Sequence, residues 1–334
     1  MGAIWITGAD LIEFLHEVVG FKMGLAVSER DLRDGFEQAA MNVAWPADQS
    51  ATYRYRSEEI EAAVGAILRH FGDPDARPDG IAPTFEFIRQ HGMGPDGSIV
   101  ELIVEAFGEA VEAAPRGSPL DPKPILIRVE DRFGRRGLHL AVEFLRTVNA
   151  SQHVSPWNRM RRREWTDVLA LRDLFESEEV AATYGTFFDQ RFIDFLEGST
   201  DNVDRMNWRK FEALAAEWFD RQGLSVELGA GRGDGGVDLR VWPSRSASQG
   251  PALLIAQCKR QKRKVDQVVL KALFADMTHE GADRGLIVTT STISPSAEQL
   301  IQSREYPIDV VDRSALRRWL QAMRTPGAGL WLPE

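Results

Sequence analysis

The 334-residue chain contains a single cysteine, Cys258, so no intramolecular disulfide can form. Its six histidines, His16, His70, His91, His139, His153 and His279, are too scattered to build a zinc box. Long apolar runs are missing too. The stretch Ala252 to Ala256 falls far short of the ~20 residues needed to cross a bilayer. Near the start, Asp10, Glu13 and Glu17 occupy positions that a signal peptide keeps apolar, which leads to the expectation of a cytoplasmic protein without a membrane partner. Net positive charge is also lacking, at -10 overall, and taken alone that argues against a polyanion as partner.

What is present changes that reading. Hydrophobic residues make up 43% and charged residues 27%, an ordinary globular balance, and the length suits two cores better than one. The acidity is not uniform. From Asp201 onward, 19 lysines and arginines face 17 acids, a net of +2, which leaves -12 for residues 1–200. Polyanion binding depends on local basic surface, so the low total does not exclude it.

Residues 1–110 read as mostly helical. Ser28 to Trp45 and Ser57 to Phe71 each open on a serine, and Ile60, Val64, Ile67 and Leu68 carry the apolar spacing of an amphipathic helix. Pro- and Gly-rich loops follow at Gly72 to Pro83 and Pro115 to Pro124. The run Ile125 to Glu130 is expected as a strand before a helix near Leu138 to Val148. A second helical stretch is expected from Trp157 to Leu196, carrying Arg159, Arg161, Arg162 and Arg163 beside Trp157 and Trp165; such a cluster is more often a solvated face than a nucleic-acid contact. The polar segment Glu197 to Asn202 is the expected linker, giving a region 1–200, a domain 201–325 and a tail 326–334.

From Asn207 the pattern alternates. Trp208, Phe211, Leu214, Ala215, Trp218 and Phe219 recur at helical spacing, Gly223 closes that helix, and Leu224 to Leu228 reads as a strand. A glycine-rich turn, Gly229 to Gly236, precedes Val237 to Trp242, and the loop Pro243 to Gly250 precedes Ala252 to Arg260. If these last two strands form an antiparallel hairpin about Ala247, position 238 falls opposite position 256, beside Gln257. Strand alternation then puts Gln257 and Lys259 on one face, with Cys258 packing on the other. Helical and strand patterns continue at Val265 to His279, with Val268, Val269, Ala272, Leu273 and Met277 on its apolar side, and at Gly285 to Thr289, Ile308 to Val311 and Ser314 to Met323.

Asp238, Gln257 and Lys259 suit phosphodiester hydrolysis. That reaction needs oxygen ligands for a hard cation and a positive group near the attacking water. Asp238 supplies an anionic ligand, and Gln257 offers either a weaker neutral one or a group that orients a water. Lys259 offsets developing charge, and Glu212 adds a carboxylate from the first helix. Arg260, Lys262, Arg263 and Lys264 form the strongest basic run in the chain and are candidates for backbone phosphate contacts; the bland alternative is a solvated helix start. Thr289 and Thr290 read as ordinary sheet residues.

Phe211-Glu212, Gly233-Asp-Gly-Gly-Val-Asp-Leu239, Gln257-Cys-Lys-Arg260, and Gly285-Leu-Ile-Val-Thr-Thr290 with Ser294 and Ala297 together resemble the Mrr-like branch of the PD-(D/E)xK restriction-endonuclease superfamily. Glutamine in place of the usual acid is characteristic of that branch. The resemblance implies an α/β fold with an αβββαβ core, and DNA cleavage with Mg2+, or Mn2+ as a substitute. It also implies catalytic roles for Asp238, Gln257 and Lys259. It does not extend to residues 1–200, which lack a match to the winged-helix-like reading domain such enzymes often carry. That region is expected to be mainly helical, of unassigned fold, and to bind a regulatory partner or activating ligand. The functional expectation is a restriction or antiphage-defence endonuclease acting on DNA, as a homo-oligomer. The alternatives are a repair nuclease acting on ends, junctions or single strands, and an inactive nucleic-acid-binding module.

Overall fold

A computed structural model describes residues 3–39, 43–77, 83–114, 120–231 and 236–324. The chain separates into two compact units. One comprises Met1–Gly24, Ser28–Arg69 and Pro74–Thr166; the other comprises Leu25–Val27, His70–Asp73 and Asp167–Glu334. The break at Asp167 lies well before the linker expected at Glu197 to Asn202.

In chain order the elements begin with β1 (Ala3–Thr7), α1 (Gly8–Met23), β2 (Leu25–Ala26), α2 (Glu29–Phe36), β3 (Thr52–Arg56) and α3 (Ser57–His70). Then come α4 (Pro83–His91), α5 (Gly97–Ala113) and α6 (Lys123–Val154). In the first unit β1 pairs antiparallel with β3, a small sheet that helical periodicity does not announce. Ser28 forms the capping box with Asp31 that fixes the start of α2, although that helix ends at Phe36 rather than reaching Trp45. A core of Phe87, Ile99, Ile103, Ile125, Val129, Leu140 and Phe144 joins α4, α5 and α6.

The expected strand at Ile125 to Glu130 is instead the first turns of α6. Ile125 and Val129, four residues apart, both face the core, and Pro124 sits in the first turn, where its missing N–H costs no bond. The helix is interrupted at Gly134, whose φ of 59° and ψ of -151° are not helical.

The second unit contains β4 (Leu169–Ala170), α7 (Asp173–Glu176), α8 (Gln190–Gly198), a 3-10 turn at Thr200–Asp204, α9 (Trp208–Arg221), β5 (Ser225–Leu228), β6 (Leu239–Trp242) and β7 (Leu254–Lys259). It closes with α10 (Gln267–Glu280), β8 (Arg284–Thr289), α11 (Pro295–Arg304), β9 (Ile308–Val311) and α12 (Arg313–Met323). The helical stretch expected from Trp157 to Leu196 is thus mostly irregular before α8. Buried charge shapes it: Asp189 accepts from the backbone of Thr183 and Tyr184 and pairs with the fully buried Arg191. The expected linker is also tied down, since Arg313 reaches Asp201 and Asp204 and Arg317 reaches Thr200.

The sheet has the order β5-β6-β7-β8-β9, antiparallel through β5, β6 and β7 and parallel through β7, β8 and β9. Together with α9 and α10 this is the expected αβββαβ core, extended by α11, β9 and α12. Ile255, Ile287, Leu270, Leu273 and Met277 form the hydrophobic cluster on one side. Val268 and Ala272, expected on the apolar side of α10, are exposed; Leu270 takes their place against the sheet. Among the described residues no helix is long and apolar enough to cross a membrane.

Candidate active site

Asp238 stands at the entrance to β6 and is held from both sides. Its carbonyl accepts from Gly229 N at 2.8 Å, and its N–H donates to Ala256 O at 2.9 Å. The ladder pairs Leu239 with Ala256, Arg240 with Ile255 and Val241 with Leu254, one step from the expected pairing of 238 with 256. The connecting loop explains the shift, because it contains a 3-10 turn at Arg245–Ala247 instead of a symmetric bend centred on Ala247. Asp238 nevertheless reaches Ala256, because the regular ladder stops at Leu239.

The Asp238 carboxylate replaces a strand acceptor: its Oδ2 takes the N–H of Cys258 at 2.6 Å. A short, charge-assisted bond of this kind fixes the side chain beside β7. Asp238 and Gln257 are both buried, at 8% and 7% exposure. Gln257 lies against the backbone of Gly236, where an added Cβ would come within 2.9 Å of its Nε2. Gly236 also has φ of 99°, so the position is closed to other residues on two grounds. Among the described residues the Gln257 Oε1 atom is buried without a hydrogen-bond partner. Most buried acceptors are satisfied, and an orphan on the residue before Cys258, whose amide Asp238 holds, marks a place where a cation or water fits.

Glu212 projects from α9, is itself buried, and pairs with Arg209 at 2.7 Å. Arg209 also donates to Gly229 O at 2.6 Å, linking the helix start to the same turn that holds Asp238. Arg209 was not singled out in the sequence, although its i,i+3 spacing from Glu212 was a readable signal. Burial, and next the charges of Asp238 and Glu212, push the Cys258 thiol well above its ordinary value, so it is a packed, protonated group and not a nucleophile.

Lys259 ends β7 opposite Thr289 and makes no ion pair among the described residues. Its carbonyl accepts from Thr289 Oγ1 at 2.8 Å, while Thr290 Oγ1 accepts from Gln261 N. The two threonines thus fasten the exit of β7. Arg260 donates to Asp204 O, and Lys262, Arg263 and Lys264 are exposed. They do not start a helix: α10 begins at Gln267 behind the N-cap Asp266, and the run bends at Lys262 and Arg263 and is tied to Ser291 and Thr292 through Lys262 O and Val265 N. The other basic cluster is engaged inside the first unit. Arg161 pairs with Glu164 and lies over Phe21, Arg162 pairs with Asp75, and Arg163 lies over Trp165. Gly233, Asp234 and Gly235 of the glycine-rich motif, and the tail 326–334, fall outside the described residues.

Residues 203–320 match the family model Mrr_cat, described as a restriction endonuclease. An uncharacterized protein, y4cE, of Sinorhizobium fredii (strain NBRC 101917 / NGR234) is 27% identical over 136 residues, which are 40% of this chain and 35% of that protein. The chain therefore spans about a third of the curated relative it matches. The solved MspJI restriction endonuclease in complex with a 27-mer oligonucleotide aligns over 60% of this chain and 45% of that one, at 17% identity and a TM-score of 0.27; the likeness is too slight to bear on the site.

Proposed function

Since residues 203–320 match the Mrr_cat restriction-endonuclease model, we propose that the protein is a divalent-metal-dependent DNA endonuclease, with Mg2+ as the cation and Mn2+ as its substitute. The observation that carries this reading is the buried, partnerless Gln257 Oε1, on the residue before Cys258, whose amide the Asp238 carboxylate holds. One anionic and one neutral oxygen, with the Arg209-paired Glu212 carboxylate buried on α9, suit a hard cation. Bound there, a divalent ion stabilises the charge that builds on the phosphoryl oxygens during hydrolysis.

The protein's own groups do the remainder. Asp238 is oriented by the Cys258 amide, so its second oxygen is fixed without further reorganisation. Gln257 lies close against Gly236, where no side chain competes for the space of its amide. Lys259, on the same face of β7 as Gln257, positions water and offsets negative charge at the scissile phosphate. Each chain has one such centre and cuts one strand, so double-strand cleavage calls for two copies and a homo-oligomer. The restriction-endonuclease family of the domain supports a role in restriction or defence, with the region outside it as the regulatory or partner-binding part.

Duplex cleavage by the full chain in Mg2+, with metal binding followed by calorimetry, tests the proposal. Asp238→Asn and Gln257→Ala should weaken metal binding and lower cleavage by at least ~100-fold. Lys259→Ala should lower cleavage to a similar extent while metal binding persists. Full activity in Asp238→Asn, or wild-type cleavage unaffected by chelator, overturns the assignment.

A further inference from the structure

The basic run that leaves β7 does not end at Lys264. Two independent bridges join it to α12, about 50 residues further along the chain. Arg260 Nη1 donates to the carbonyl of Asp204 at 3.0 Å, and Arg313 Nη1 donates to the carboxylate of the same residue at 2.8 Å. Ser291 Oγ donates to Lys262 O at 3.2 Å, and Arg313 N donates to Ser291 O at 3.2 Å. The first turn of α12 is therefore adjacent to the segment 260–264. One helical turn on, Arg317 and Arg318 are exposed.

The charge balance of this surface departs from that of the chain. Arg260, Lys262, Arg263, Lys264, Arg313, Arg317 and Arg318 meet four nearby carboxylates, those of Asp201, Asp204, Asp266 and Asp312. Two of the four are committed to backbone amides: Asp266 caps α10, and Asp312 caps α12. Arg317 contacts a neutral hydroxyl, Thr200 Oγ1, at 2.8 Å, and Arg318 lies 3.5 Å from Ser314 Oγ. In a chain of net charge -10, a surface holding seven cations against four acids, two of them shared by Arg313 alone, requires an explanation.

We infer that Arg313, Arg317 and Arg318 of α12 continue the phosphate track that starts beside Lys259, so that α12 grips duplex DNA backbone flanking the cleaved bond. The inference rests on the nuclease reading and adds to it a second, remote segment of interface. A solvated helix face accounts for Arg318 alone. It does not account for two hydrogen-bonded bridges that align α12 with the run after the proposed catalytic lysine. Contacts of this kind read the backbone, not the bases, and release counterions on binding.

Binding of the full-length protein to a labelled duplex, without divalent metal and across a salt series, tests this. Arg317→Gln/Arg318→Gln should weaken binding and reduce the slope of log K against log salt by about 0.9 per lost contact. Mg2+-dependent hydrolysis of a small diester, bis(p-nitrophenyl) phosphate, should stay unchanged, because that substrate is too short to reach α12. Asp201→Asn should do the opposite to DNA binding. Asp201 is 94% exposed and partners Arg313, so its neutralisation should tighten binding and steepen the slope, a gain that misfolding does not mimic. If the double arginine variant and Asp201→Asn both keep the wild-type slope while Lys262→Gln/Arg263→Gln/Lys264→Gln lowers it, the α12 track is refuted and the nuclease reading stands. Absence of any salt-dependent duplex binding by the wild-type chain overturns both.

Discussion

At the scale of single residues, the site depends on backbone positions as much as on the groups that do chemistry. Gly236→Ala combines a left-handed φ with a Cβ 2.9 Å from the Gln257 amide, and it should cost about 1–3 kcal/mol of stability while displacing that amide. Denaturant melts and cleavage assays on one preparation check both effects; an active, fully stable variant removes the argument that the glutamine needs Gly236 beside it. Asp238 has a double duty of the same kind. Replacing it with Ala leaves the Cys258 N–H without its acceptor, a loss of about 1–3 kcal/mol, whereas Asn keeps an oxygen in place. Asp238→Ala should therefore melt earlier than Asp238→Asn, and only the second isolates the metal role. Strand alternation and hairpin geometry are local rules, so the sequence already places Gln257 and Lys259 on one face of β7 and Asp238 beside that strand, though one step out of register. It hides the bond of Arg209 to Gly229 O and that of the Cys258 amide to Asp238, which join groups of different elements, whereas the i,i+3 pairing of Arg209 with Glu212 is itself a local signal.

At the scale of elements, α9 organises more than the sheet. Its buried Glu217 accepts three backbone N–H groups, from Thr186, Phe187 and Phe188, at 2.8 to 3.1 Å, and pairs with Arg221 at 2.7 Å. Glu217→Ala strands three donors and a cation, so a loss of about 3–5 kcal/mol is expected, read as a shift of the urea midpoint; Glu217→Gln should lose less. The neighbouring α8 start is sensitive to acid. Burial raises the Asp189 carboxyl, but hydrogen bonds and charge from Arg191 outweigh it and hold the group below its ordinary value. The folded state thus favours the ionised form, and that stabilisation is fully present above the unfolded value near ~3.9 and fades as pH falls through the lowered one. Asp189→Asn should be less stable near neutrality and show a flatter loss of stability in acid; parallel pH profiles for the two proteins would contradict this. These features explain why 157–189 defeats periodicity. Its order comes from buried ions at Asp189, Arg191 and Glu217, not from an apolar stripe, whereas α9 to α12 and β5 to β9 carry ordinary two- and 3.6-residue patterns. The reverse error at Ile125 to Glu130 arises because a short apolar run fits strand and helix equally well.

At the scale of the whole molecule, the family match at 203–320 and the compact unit that contains it do not coincide, and the difference bears on how the protein can be divided. The unit begins at Asp167 and also draws in Leu25–Val27 and His70–Asp73. A fragment starting at Asp201 discards Phe188, Phe192 and Phe195, each at most 3% exposed, together with the amides that satisfy Glu217 and with Gln190, which accepts from Arg221. Burial of a phenylalanine contributes about 1.5–3 kcal/mol, so the three account for a large part of the ~5–15 kcal/mol that stabilises an average domain. Residues 201–334 should therefore lack a cooperative thermal transition, although every proposed catalytic residue is present. Residues 167–334 restore those contacts but still leave out Phe71, which packs at 6.2 Å from Phe195, and should melt below the full chain. Circular dichroism melts of the three proteins check the order, full chain above 167–334 above 201–334. If the 201–334 fragment melts cooperatively at the temperature of the 167–334 fragment, residues 167–200 contribute nothing to the fold and the domain boundary moves back to Asp201.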